Sequence, residues 1–116
     1  MVSPALALDK RMKKQLLKLD PTVRLEQTCD TGAMEKIRKD KTPYRADRVV
    51  AYAFEQPVVS ENTIKAPGAA FRSRGEWYRL SYQCTTDSDN IEVRALTYNI
   101  GEKIPREQWE QHQLYN

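Results

Sequence analysis

Glu76-Trp77-Tyr78-Arg79-Leu80-Ser81-Tyr82-Gln83-Cys84-Thr85 is the most regular stretch of the chain. Tyr78, Leu80, Tyr82 and Cys84 alternate with Trp77, Arg79, Ser81 and Gln83. Successive side chains of a β-strand point to opposite faces, so the first set is expected on a buried face and the second on the other. Just upstream, Arg74-Gly75 separates this run from 68–73. Glycine supplies the positive φ of a tight turn, so 68–73 and 76–85 are expected to form a hairpin.

Further β signals lie on both sides. Val49, Val50, Tyr52 and Phe54 make 48–54 β-rich, and Pro57 breaks that run. Val58, Val59 and Ile64 make 58–65 a candidate edge strand. Downstream, Asp87-Ser88-Asp89-Asn90 is a turn cluster, and a strand is expected over 91–100, ended by Gly101. Ile91, Val93 and Ala95 share one face of that strand and Leu96, Tyr98 and Ile100 the other. Either both faces are partly covered or a bulge near Ala95 switches them. Pro105 opens a short helix over 106–113 that is expected to dock Trp109 on the sheet.

The N-terminal third has helical spacing instead. Ser3-Pro4 is a helix start, with Ser as cap and Pro at the first helical position. Leu8, Met12, Leu16 and Leu19 then form an apolar stripe on a helix over 4–19. Asp20-Pro21 repeats the punctuation and opens a second helix, in which Leu25, Cys29, Ala33 and Ile37 recur every fourth residue up to about Lys39. Gly32 weakens the middle of that helix by about 1 kcal/mol relative to alanine. Two helices followed by strands predict an α+β domain: the helices on one face of an antiparallel sheet of four to five strands, with a short C-terminal helix.

A chain of 116 residues with 40% apolar and 30% charged residues suits one globular domain spanning 1–116. No apolar run approaches the roughly 20 residues of a membrane-spanning helix. The net charge of +3 and pI of 8.9 fall short of a dedicated nucleic-acid binder, so nucleic acid is not expected as a partner. Residues 1–20 lack the pattern of a signal peptide.

The candidate sites are few. Cys29 on the helical stripe and Cys84 on the apolar strand face can meet in the core and bridge in an oxidising compartment; the alternative is a pair of reduced core thiols. Cys29 with His112, the single histidine, is a possible nucleophile and base, set against an apolar position for the thiol. Glu26 and Asp30 lie four apart on one helix face; paired carboxylates can do acid–base work where their environments push the two pKa values apart, and without a cleft they are a solvated face. Asp87-x-Asp89-Asn90 lacks the remaining ligands of a calcium loop and reads as a turn. Arg72, Arg74, Trp77 and Arg79 interleave cations with an aromatic ring, a pattern that can hold an anionic polymer or a partner. The early lysines form a face that can touch anionic headgroups. No catalytic residue, metal site or cofactor is assigned.

Several word-like segments occur in a fixed order: Leu19-Asp20-Pro21, Arg24-Leu25-Glu26-Gln27 with Cys29-Asp30, Asp47-Arg48-Val49-Val50-Ala51-Tyr52-Ala53-Phe54, Gly68-Ala69-Ala70-Phe71-Arg72-Ser73, Trp77-Tyr78-Arg79-Leu80-Ser81-Tyr82 and Ile104-Pro105-Arg106 with Trp109. Over roughly residues 16–114 they resemble the alphaproteobacterial family called domain of unknown function 930. The resemblance implies an envelope-type protein in which the domain follows a leader, an anchor or a polar linker, and implies no activity. The expectation is therefore a periplasmic or otherwise exported, non-catalytic domain with a native leader or anchor ahead of Ser3. It would bind a protein partner or an anionic envelope polymer. The alternatives are a small carboxylate-based enzyme and a cytosolic nucleic-acid-binding module.

Overall fold

The computed structural model describes residues 10–40 and 42–116, the Met12 side chain excepted. The expected Ser3-Pro4 start, residues 4–9 with Leu8, and the side chain of Met12 lie outside the described residues. Helix α1 covers Lys10–Leu17 and helix α2 covers Pro21–Lys39. Asp20 caps α2, accepting the Thr22 N–H at 2.9 Å, with Pro21 in the first turn where no amide partner is needed. Lys36, Arg38 and Lys39 occupy the last turn, next to the negative end of the helix dipole. Leu25, Cys29, Ala33 and Ile37 form the buried stripe, as the fourfold spacing demands.

Among the described residues one helix, not two, lies on the sheet. α1 packs against α2, and Arg24 Nη1 ties them by donating to the carbonyls of Leu17 and Leu19, each at 3.2 Å. Leu17 is 47% exposed and Leu16 half-buried, so the described part of the α1 stripe contributes little to the core.

Among the described residues the sheet has five antiparallel strands: β1 Ala46–Val50, β2 Val58–Val59, β3 Thr63–Ser73, β4 Glu76–Thr86 and β5 Val93–Lys103. The order is β1-β3-β4-β5, with β2 also pairing to β3. The hairpin around Arg74-Gly75 is present, with both turn residues at positive φ (51° and 80°), as a two-residue loop of right-twisted strands requires. Its first arm is longer than the sequence suggested. The expected edge strand 58–65 folds back on itself, Val58 and Val59 pairing with Lys65 and Ile64 across residues 60–62. The 48–54 run stops pairing after Val50, where Phe54 N–H turns to donate to Gly68 O at 2.8 Å.

A register shift between Ala66 and Ala69 lets β3 change which parity faces α2. A Cβ on Gly68 would stand 2.5 Å from Glu55 N, so this bulge closes only around a glycine. A second shift falls between Val93 and Ala95, which resolves the mixed faces of β5: Val93, Leu96, Tyr98 and Ile100 all pack toward the α2 side.

Two clusters of buried residues result. Beneath α2 lie Leu25, Ile37, Ile64, Phe71, Leu80 and Tyr82 among several alanines. The second contains Ala53, Ala70, Trp77, Ile104, Trp109 and Leu114. The C-terminal chain builds it from two 3-10 turns, Arg106–Gln108 and Glu110–His112, with Trp109 buried between them. Both indole N–H groups find carbonyls: Trp77 donates to Tyr115 O at 2.9 Å and Trp109 to Ile104 O at 3.0 Å.

Candidate interaction surfaces

Cys29 of α2 and Cys84 of β4 are joined in a disulfide, their Cα atoms 5.9 Å apart and both fully buried. The bond pins α2 to the sheet and removes Cys29 as a nucleophile. His112 lies elsewhere, its Nδ1 2.9 Å from Ala53 O and its ring 3.9 Å from that of Phe54.

The arginine strip is assembled differently from its sequence pattern. Trp77 is only 1% exposed, so its ring is not part of a flat outer surface. The arginines cover aromatic rings: Arg72 lies 5.8 Å from the Trp77 centroid and Arg79 3.8 Å from that of Phe54. Arg72 Nε also donates to Asp47 at 2.8 Å. Arg74 alone of the four stands in an exposed turn. Arginine stems and rings packed in this way shield the sheet.

Asp30 and Tyr82 form a buried pair that the spacing of Glu26 and Asp30 did not reveal. Tyr82 Oη donates to Asp30 Oδ1 at 2.6 Å. Burial raises the Asp30 carboxyl from 3.8 to about 7; the Tyr82 hydrogen bond works against that rise and the charge of Glu26 works with it. Burial, the Asp30 charge and the hydrogen bond all push the Tyr82 phenol upward. A similar bond runs from Tyr98 Oη to Asp40 Oδ2 at 2.6 Å, and the Tyr98 phenol rises to about 12, through partial burial and then that bond. Both carboxylates thus anchor α2 to tyrosines of adjacent strands.

The 87–90 cluster is a turn whose polar groups are already engaged. Asp87 Oδ1 accepts the amides of Ile91 and Glu92 at 2.9 and 3.1 Å. Desolvation opposes ionisation there, but these amides and the charges of Arg94 and Lys13 hold the Asp87 carboxyl below its usual value. Asn90, buried and at positive φ, accepts from Asn62 and Thr86 and donates to Pro21 O. This knot closes one end of an open cleft of about 510 Å³ between the start of α2 and the β2–β3 turn, lined by Thr22, Arg24, Val59, Glu61, Asn62 and Asn90 among others.

The sheet ends asymmetrically. On one side β3 is covered by short β1 and β2; on the other, β5 runs 11 residues with no further strand beside it among the described residues. Among the described residues, no turn or loop backbone hydrogen bond involves positions 93–103. Arg94, Ala95, Thr97, Asn99, Gly101, Glu102 and Lys103 are exposed along it.

A family model described as Domain of Unknown Function (DUF930) matches residues 16–114, nearly the whole chain. The chain belongs to the DUF930 family. No curated protein and no solved structure matches it. For this DUF930 domain the matched span starts within α1 and takes in α2, all five strands and the C-terminal turns.

Within the DUF930 domain the structure joins Cys29 to Cys84, keeps Arg72 by Trp77 and Glu26 near Asp30, and places His112 away from Cys29. The open β5 edge was not singled out from sequence. Its signal is present: 95–100 contains no charge, no proline and β-favouring Thr, Tyr and Ile.

Proposed function

We propose that this domain is an exported, non-catalytic binding module that receives an extended segment of a protein partner along β5. The observation that carries the reading is the 11-residue outer edge of β5, unpaired among the described residues. Edge strands present a row of free N–H and C=O groups, and strand addition is a recurring mode of peptide recognition. The disulfide supports the exported setting, since such bonds persist in oxidising compartments. The Trp77 ring, covered by the C-terminal chain, favours a protein partner over a polymer stacked on the arginine strip.

The test is site-specific photo-crosslinking in producing cells. A photoreactive residue at Thr97 or Asn99, on the edge, is compared with one at Lys65, which is exposed on β3 but inside the sheet. Discrete adducts are expected from 97 and 99, mapping by mass spectrometry to an extended segment of one protein, and not from 65. Equal adducts from all three positions, or none, overturn the edge as the binding surface. Recovery of the chain in the cytosol with reduced cysteines overturns the exported setting.

A further inference from the structure

We infer that β5 pairs with β5 of a second copy of this chain, antiparallel, about a two-fold axis at Tyr98. The inference rests on the reading of β5 as an open edge and names the partner. Two like edges related by a two-fold axis normal to the sheet run antiparallel and keep both α2 helices on the same face. Such an axis passes through a single residue of each β5, so the allowed registers are discrete, and the charges select among them.

With Tyr98 on the axis, Arg94 of each copy stands across from Glu102 of the other, giving two opposite-charge pairs at the two ends of the shared ladder. The residues between them are uncharged: Ala95 faces Gly101, Leu96 faces Ile100 and Thr97 faces Asn99. Moving the axis to Thr97 sets Glu92 against Glu102 and leaves Arg94 opposite Ile100. Moving it to Asn99 sets Glu102 opposite Leu96 and Arg94 opposite Ile104. Like charges directly opposite destabilise a ladder and opposite charges stabilise it, so the Tyr98 register is favoured.

The two register irregularities of β5 against β4 fall around Arg94 and around Gly101 and Glu102, so they flank Tyr98 on both sides. Between them 95–100 runs in step with β4. Among the described residues, Glu102 has no ionic partner, and Arg94 reaches only Glu92 at 3.9 Å with both side chains more than half exposed. The side chains that would meet across the axis on the α2 side, Leu96, Tyr98 and Ile100, are half-buried in the single copy, and pairing covers their remaining exposed area. An edge of this length gives a small interface, so a reversible dimer is expected rather than an obligate one.

Sedimentation equilibrium from micromolar to millimolar concentration should show a monomer–dimer equilibrium. Arg94→Glu and Glu102→Arg should each weaken it at least about tenfold, and the double swap should restore it by recreating the pairs. Thr97→Cys and Asn99→Cys proteins should form an intermolecular disulfide when mixed under mild oxidation, and much less when either is oxidised alone. A chain that stays monomeric throughout overturns self-pairing. A dimer indifferent to the charge swaps, or one lacking the 97-to-99 cross-link, overturns this interface. If self-pairing fails while adducts from Thr97 and Asn99 still map to an extended foreign segment, the strand-accepting edge survives and only the identity of its partner is wrong.

Discussion

Asp30 is a carboxyl folded into a place where its charge is unwelcome. Its group is raised from 3.8 to about 7 by burial, against the Tyr82 hydrogen bond and with the charge of Glu26. A raised folded value means that the native state holds the proton more tightly than the unfolded chain does. The stability this group contributes is therefore fully present below about pH 4 and is lost as pH rises through about 7, with a slope of up to about 1.4 kcal/mol per pH unit. Asp87 has the opposite sign: its lowered value gives stability above the normal carboxylate range that is lost on acidification. The wild-type profile mixes both, so the difference from Asp30→Asn isolates the first. The asparagine amide oxygen can still accept from Tyr82 Oη. Denaturant midpoints measured from pH 4 to 8 are expected to fall for the wild type relative to Asp30→Asn. Parallel profiles would show that the carboxylate is better solvated than its burial indicates. Nothing in the sequence marked this pair, because a one-face spacing of Glu26 and Asp30 is the same for a solvated helix as for a buried one.

The approach of α2 to β5 depends on Gly32, which the sequence presented only as a weak point in a helix. A Cβ built there would stand 2.8 Å from Val93 Cγ2 and 3.5 Å from Leu96 Cδ1. Alanine gains about 1 kcal/mol of helix propensity, while overpacking against a short branched side chain costs about 1–3 kcal/mol. Overpacking wins, so Gly32→Ala is expected to destabilise by about 1 kcal/mol. In a Val93→Ala background the obstruction is gone and the same change should stabilise. Urea unfolding of the four proteins gives the coupling directly; a value near zero would mean that α2 shifts away instead of resisting. Other elements were legible because local rules governed them. Asp20-Pro21 started α2, Arg74-Gly75 turned the hairpin, and the alternation of 76–85 set the faces of β4. The β2 turn was not legible, because Val58, Val59 and Ile64 carry the same β preference whether the chain runs straight or doubles back. Trp77 was placed on an outer face by that alternation, which is right, but its cover comes from residues about 30 positions downstream that no local pattern connects to it.

The molecule has two apolar clusters, and they are secured differently. The outer one is held by large rings, with Trp77, Trp109, Ile104 and Leu114 supplying area and both indoles hydrogen-bonded. The inner one contains many small groups: Ala33, Ala46, Ala51, Ala66 and Ala69 share it with the disulfide. Small side chains bury less apolar area, so the inner cluster leans more on the covalent link than a leucine-rich core would. Cys29 and Cys84 close a loop of 55 positions, for which the chain-entropy model assigns about 4 kcal/mol. That is a large share of the 5–15 kcal/mol typical of a domain. The bond is fully buried and no other cysteine is present to resolve a mixed disulfide, so its role is structural rather than redox-active. A Cys29→Ala/Cys84→Ala variant is expected to lose about 2–5 kcal/mol, read from guanidinium unfolding, and to melt well below the wild type. Because β5 is joined to β4 by its own ladder, the folded fraction of the variant should keep the association measured for the wild type. A melting temperature unchanged in the double variant would mean that packing and the two aspartate–tyrosine hydrogen bonds already fix α2 on the sheet. Two titratable thiols in the folded, air-oxidised wild type would show that the bond does not form.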